Sequence, residues 1–353
     1  MGRRIVIMAG GTGGHVFPAL AVAQFLKSKE WDVSWIGTRR GMESRVIPAN
    51  GIEIDWLSVE GIRGKGIRAM MASISQLLKA FWQAFKIFRK RKPNVILGMG
   101  GYVAGPGGMV ASLMGIPLVI HEQNRVPGTT NRLLVKKADR VLEAFPDSFP
   151  PTAKAMFTGN PLRSYFLDFP EKELWSKESE RPLRILVIGG SQGAKFLNDV
   201  VPATAKHLEK VEIKHQTGAA SLELVAKKYA ELEIEAEAVE FIEDIASAYQ
   251  WTDLVICRAG AMTVSEIAAV GIPAIFIPLP HAIDDHQTAN ARYLADADAA
   301  VLLVQNEFNE VSLINAIEKV KVSLSVMTAA VKNKAKLDAT EVVANICIEE
   351  ANK

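Results

Sequence analysis

Ile5-Val-Ile-Met-Ala-Gly-Gly-Thr-Gly-Gly-His15 opens the chain, and Ile185-Leu-Val-Ile-Gly-Gly-Ser-Gln-Gly-Ala194 repeats its form about half a chain later. Each is an apolar run that enters glycines and then a helical stretch. Further short apolar runs flank both. In the first half they lie at Arg4–Ala9, Val33–Ile36, Ile52–Leu57, Val95–Met99, Leu118–His121 and Arg140–Glu143. In the second they lie at Arg184–Ile188, Glu212–His215, Val239–Ile242, Asp253–Cys257, Ala274–Ile277 and Ala300–Val304. Strands alternating with helices predict parallel sheets covered on both faces. The fold class is therefore α/β, with two doubly wound, Rossmann-like domains. The expected division is 1–160 and 161–338, with Pro161–Pro182 as linker and a last helix, 339–353, returning to the first domain.

A chain of 353 residues fits two domains of ~150 each. Its two cysteines, Cys257 and Cys347, lie far apart in apolar surroundings and form no CxxC pair, which points to a reducing cytoplasm. The apolar run Ile5–Ala9 is too short for a signal peptide. Pro93–Ile120 carries no charge, yet its glycines and prolines argue against a continuous ~20-residue membrane helix.

Charge is divided unevenly. Residues 1–163 hold 23 Lys and Arg against 10 Asp and Glu, and the remainder is acidic. Between Glu60 and Glu122 there are nine basic residues and no acid. Such a surface suits a polyanion, either nucleic acid or an anionic membrane. No nucleic-acid-binding motif accompanies it, so the expected partner is the membrane. Residues Ile67–Lys92 place Met70, Met71, Ile74, Leu77, Leu78, Phe81, Phe85 and Phe88 at helical spacing, the pattern of a core-facing stripe. Trp82 stands one residue off that stripe among the basic residues.

Glycines between a strand and a helix let backbone N–H groups approach a phosphate, with the positive helix end behind them. Three stretches qualify: Gly10–Gly14, Gly98–Gly108 and Gly189–Gly193. Tight strand–helix packing is the alternative for each. A dinucleotide fingerprint is incomplete, because Val16 stands where its third glycine belongs; Arg39 and Arg40 leave a 2′-phosphate possible. A P-loop is absent. In Arg258–Glu266, the Thr263/Glu266 spacing fits either a capping box or a ribose-binding carboxylate beside helix amides. His281–Gln287 has irregular spacing for a metal site, and Asp296-Ala-Asp298 reads as a solvated helix face.

These motifs together resemble the MurG family of peptidoglycan-synthesis N-acetylglucosaminyltransferases. The resemblance rests on Ala9–Pro18, Gly98–Gly108, His121-Glu-Gln-Asn124, Gly159–Arg163, Gly189–Ala194, Cys257–Glu266 and Gln287 through Ala291. It implies two GT-B domains facing a cleft, with UDP-N-acetylglucosamine as donor and a lipid-linked MurNAc-pentapeptide as acceptor. It implies donor contacts from Thr12, Gly13, Gly14, Asn124, Arg163, Ser191, Ile242, Ala261, Met262, Thr263, Val264, Ser265, Glu266 and Gln287. Glu266 would meet the ribose and Gln287 the sugar, although His281–Gln287 departs somewhat from the family pattern.

The implied reaction is one inverting displacement at the cytoplasmic face of the bacterial inner membrane, where the protein would be peripheral. Loop amides and a helix N-terminus would stabilise the leaving diphosphate without a metal or cofactor. His15 is the candidate base, since an imidazole ordinarily titrates near ~6.5. Shaping of the loop by His15, and Glu122 as base, are the alternatives. Another sugar-nucleotide enzyme of this fold, such as a UDP-sugar epimerase, is the competing function.

Overall fold

The structure, a computed structural model, describes residues 2–59, 67–190, 193–280 and 285–353. It divides into two compact units, residues 1–164 with 336–353, and residues 165–335.

In the first unit, strands β1 (Arg4–Met8), β2 (Asp32–Gly37), β3 (Glu53–Trp56), β4 (Val95–Gly98), β5 (Leu118–Glu122), β6 (Arg140–Glu143) and β7 (Met156–Phe157) form one parallel sheet, in the order β3-β2-β1-β4-β5-β6-β7. Between them run helices α1 (Gly13–Ser28), α2 (Glu43–Ala49), α3 (Ile67–Arg91), α4 (Ala104–Leu113) and α5 (Thr129–Leu134). Strand alternation sorts the core into two. Ile5 and Ile7 of β1 pack with Val16, Ala19 and Ala23 of α1, whereas Val6 and Met8 pack with Ala84 and Phe88 of α3 and Val110 of α4. Burial on both faces is why the strand reads as an unbroken apolar run.

The second unit repeats the plan. Strands β8 (Leu183–Ile188), β9 (Val211–Gln216), β10 (Ala236–Val239), β11 (Leu254–Cys257), β12 (Ala274–Phe276) and β13 (Ala300–Leu302) form a parallel sheet, in the order β10-β9-β8-β11-β12-β13. Its helices are α6 (Lys195–Ala205), α7 (Leu222–Glu231), α8 (Ile245–Trp251), α9 (Ala261–Val270), α10 (His286–Ala295) and α11 (Glu310–Lys332). The chain ends in α12 (Ala339–Ala351), whose Val343, Ala344, Ile346 and Cys347 enter the first unit's core beside α1.

Each strand expected from the sequence is present, and β7 is an addition too short to have shown an apolar run. One strand is displaced. The expected Val239–Ile242 is β10 at Ala236–Val239, because its neighbour β9 ends at Gln216, the register partner of Val239. Beyond Val239 the ladder is down to the bond from Gly218 N–H to the Glu240 carbonyl at 3.1 Å.

Pro161–Pro182, expected as a linker, is largely fastened to the second unit. Trp175 is buried in that unit's core and donates its indole N–H to the Arg181 carbonyl at 3.3 Å. The Arg181 guanidinium grips Asp253 through two bonds of 2.6 and 2.9 Å. Lys172 donates to the Tyr249 carbonyl, and burial lowers its ammonium pKa to about 8.

Helix α3 departs from the core-stripe expectation. Its buried face is narrow, made by Ala80, Ala84 and Phe88. Ile74, Leu78, Trp82 and Phe85 stand outward at helical spacing, with Leu78 65% and Trp82 58% exposed. Lys79, Lys86, Arg89 and Lys90 are exposed on the same helix. The Lys86 ammonium lies 3.5 Å from the Trp82 ring centroid. Arg91 is different: it is tied to Glu53 and Asp55 of β3, which hold its charge firmly. No described helix is long and apolar enough to cross a membrane.

Candidate functional site

The strand order reverses between β1 and β4 in the first unit, and loops leaving adjacent strands toward opposite faces open a crevice there. Those are the first two glycine loops. They touch: a Cβ at Gly101, which has φ +77°, would lie 2.4 Å from the Gly10 carbonyl oxygen. Only glycine allows that approach. Glu43, fully buried on α2, braces the first loop by accepting from Gly11 N (3.0 Å), Thr38 N (2.8 Å) and Thr38 Oγ1 (2.8 Å).

Thr12 is the residue before α1, exposed, and its side chain makes no capping bond. Gly13 and Gly14 begin the helix, and His15, half-buried, follows in its first turn. The His15 Nδ1 lies 2.6 Å from Gln123 Oε1, and Gln123 Nε2 lies 3.0 Å from both His121 Nδ1 and the His121 carbonyl. His121 is fully buried; its Nε2 lies 3.0 Å from the Gly159 carbonyl and 3.2 Å from Thr158 Oγ1. Burial depresses the His121 imidazole to about 4.

Glu122, the alternative base, is occupied otherwise. Its carboxylate accepts from Asn124 N and Nδ2, Gly128 N and Asn131 Nδ2 at 2.9–3.3 Å. Four donors around a buried carboxylate make it a brace for the loop that carries Asn124. Arg163 lies in the first unit, with its guanidinium 5.1 Å from the Phe17 ring centroid on α1. A cavity of about 560 Å³ adjoins the first glycine loop, lined by Thr12, Arg39, Arg40, Trp56, Gln76 and Tyr102 among others.

In the second unit the order reverses between β8 and β11. Gly190, at φ +86°, offers its carbonyl to Gln216 Nε2 at 2.7 Å, and a Cβ at Gly193 would strike the Thr217 carbonyl at 2.0 Å. Ser191 lies outside the described residues. Across the reversal, α9 begins after Gly260 with no side-chain cap. Thr263 and Glu266 are both inside that helix, so the capping-box reading is excluded. Glu266 is 9% exposed; Met262, Thr263 and Ser265 are half-buried, and Ala261 and Val264 are buried. Asn290 steadies the turn into α9 through the Ala259 carbonyl at 3.2 Å.

Arg258 is spent on the Ile277 and Pro278 carbonyls and on Gln305 Oε1. Gln287, in the first turn of α10, accepts from Leu279 N at 2.9 Å. Ile242 is half-buried in the loop between β10 and α8. Asp296 and Asp298 are exposed in the turn after α10 rather than on a helix face.

Sequence reasoning left out Glu43, and quoted His121 and Gln123 as motif residues without a role. Spacing along the chain could not have found the contact of Gln123 with His15, because residues 108 apart meet only in the folded sheet.

The glycosyltransferase family 28 N-terminal domain matches residues 5–143, and the glycosyltransferase family 28 C-terminal domain matches residues 184–345. A relative from Methylococcus capsulatus is 55% identical over 357 residues, covering 99% of each chain. It is named UDP-N-acetylglucosamine--N-acetylmuramyl-(pentapeptide) pyrophosphoryl-undecaprenol N-acetylglucosamine transferase. A relative of the same name from Psychromonas ingrahamii is 47% identical over 350 residues, covering 98% of each chain. The crystal structure of Acinetobacter baumannii MurG is similar at a TM-score of 0.84 and 39% identity, covering 98% of this chain and 99% of that one.

Proposed function

The chain belongs to glycosyltransferase family 28, and from that we propose that it transfers N-acetylglucosamine from UDP-N-acetylglucosamine to the muramyl 4-hydroxyl of a polyprenyl-pyrophosphoryl pentapeptide. The observation that carries this reading is full-length likeness to transferases of that name, together with the glycine loops that this chain places at both strand-order reversals. The second unit is the nucleotide carrier in this proposal. Uncapped α9 turns its first N–H groups toward a diphosphate, and the Glu266 carboxylate accepts from the ribose hydroxyls. Arg163, Ser191, Ile242 and the Ala261–Ser265 segment complete the nucleotide contacts, and Gln287 meets the sugar.

The first unit supplies the acceptor's chemistry. His15 takes the proton from the 4-hydroxyl as that oxygen attacks the anomeric carbon. The bond to the UDP oxygen breaks in the same step, and the configuration inverts. Thr12, Gly13, Gly14 and Asn124 contact the donor sugar. Arg39 and Arg40, lining the cavity beside the glycine loop, suit the charge of a pyrophosphorylated acceptor.

The exposed stripe of α3 supports peripheral attachment to the inner membrane's cytoplasmic face. An aromatic residue at headgroup depth with flanking cations is what an interfacial contact needs. Sedimentation with anionic vesicles, absent with neutral ones and lost on replacing Lys79, Lys86, Arg89 and Lys90 by Gln, is the expected result. Equal sedimentation with both vesicle types overturns the attachment.

Radiolabelled donor tests the reaction. Label moving into an extractable lipid supports transfer; label remaining in free sugar in the presence of acceptor removes it in favour of an epimerase-type activity.

A further inference from the structure

Two backbone carbonyls determine every proton in the chain of groups behind His15. The Gln123 amide has one end that donates and one that accepts, and which end is which is settled by its neighbours. One end faces the His121 carbonyl at 3.0 Å, and a carbonyl can only accept. That end is therefore the N–H₂, and it also donates to His121 Nδ1 at 3.0 Å. His121 Nδ1 is thus unprotonated, and its proton sits on Nε2, facing the Gly159 carbonyl at 3.0 Å. Burial keeps this imidazole neutral, so the arrangement does not switch near neutral pH.

The other end of Gln123 is its oxygen, 2.6 Å from His15 Nδ1. An amide oxygen accepts only, so His15 Nδ1 carries the proton. Its Nε2 is then the nitrogen with a lone pair. Gly100, at φ +96°, lies against the same ring: a Cβ there would stand 2.9 Å from His15 Cε1 and Nδ1. Backbone on one side and an amide on the other fix both the orientation and the tautomer.

We infer that Gln123, itself set by His121, is a positioning residue that holds His15 in its Nδ1–H tautomer and so selects Nε2 as the base. The inference rests on the proposed role of His15 and deepens it. Gln123 touches no reacting atom. A neutral amide also differs from the carboxylate that backs histidine in a catalytic triad: it fixes the tautomer without adding a negative charge behind the imidazolium.

Long-range ¹H–¹⁵N spectra of the labelled full chain at pH 8, with the His15 signals assigned by their loss in His15→Gln, read the tautomer without turnover. The parent is expected to show Nδ1–H, and Gln123→Met to lose that preference. An Nε2–H parent overturns the inference. In steady-state assays Gln123→Met is expected to lower kcat about 10- to 100-fold, no more than the low end of the ~10²- to 10⁴-fold a general base supplies. In a His15→Ala background the same change should cost nothing further, because it acts through the missing imidazole.

Equal losses in both backgrounds assign Gln123 some other task and overturn the inference, leaving His15 as base. Full activity of His15→Ala instead removes the base itself, a different failure. Thermal stability and UDP affinity equal to the parent's guard against a merely misfolded Gln123→Met.

Discussion

The two units open on the same strand–glycine–helix device and stabilise it by different means. In the first, side chains hold the loop: Glu43 clamps the Gly11 and Thr38 amides, and Gln123 fixes His15. In the second, Gln216 and Asn290 hold only carbonyls at the loop turns, and α9 starts without a cap. Another helix of the second unit shows that capping was available there, since α11 begins with a reciprocal box between Asn309 and Ser312. Proton transfer needs a side chain fixed to a fraction of an ångström, whereas diphosphate binding needs amide N–H groups left unspent. In the proposed reaction the same loop would serve both, because its surroundings differ.

That contrast breaks first at His15. His15→Ala is expected to lower kcat about 10²-fold or more and to remove the acidic limb of its pH profile, with UDP affinity unchanged. A rate loss under about threefold, with the limb retained, gives the proton transfer to another residue.

Among the described residues each unit also buries one neutral histidine, and both should cost stability in acid. His121 in the first unit is depressed to about 4 and His215 in the second to about 3, both by burial. A depressed histidine binds protons more readily when unfolded. Its contribution is therefore intact above the ordinary value of ~6.5 and is lost as pH falls through the folded-state value. Down to pH 4 each unit should lose roughly 3 kcal/mol. Hydrogen exchange resolved by unit measures this between pH 7 and pH 4, and unchanged protection in both units over that window contradicts it.

Glu266→Ala sharpens the comparison from the other side. It should weaken UDP binding by ~1.5–3 kcal/mol, the scale of a lost charged hydrogen bond, in a protein of ordinary stability. Since Glu266 lies in the interior of α9, a loss of stability with unchanged UDP affinity would make it a packing residue. The smallest effect belongs to the basic face, which only the first unit carries. Lys86→Gln alone should weaken binding to anionic vesicles by about 1 kcal/mol, read from sedimentation at low salt. No change would mean that Lys86 serves only the Trp82 ring.

Much of this was legible in the chain as written. The strands of both sheets were visible because parallel strands are buried on two faces, and their apolar runs need no partner to be recognised. The glycines of the loops were visible for a similar reason: close backbone approach admits no other residue at Gly101 or Gly193. The outward stripe of α3 misled, because helical periodicity reveals an apolar face without saying what that face meets. The strap around Trp175 was hidden by its charge, for Arg181 looks solvated until Asp253 is placed beside it.

The sequence by itself determined the two sheets, their phosphate-type loops and the candidate residues at their ends, since these follow from local period, glycine placement and motif. Only the tertiary structure decided which of those residues are spent and which are free. Glu122 is consumed by four donors, and Thr263 is no cap. His15 meets Gln123 across 108 positions of chain. Hydrogen-bond satisfaction is a property of neighbours in space, and a strand order of β1 beside β4 brings together loops that the linear chain keeps far apart.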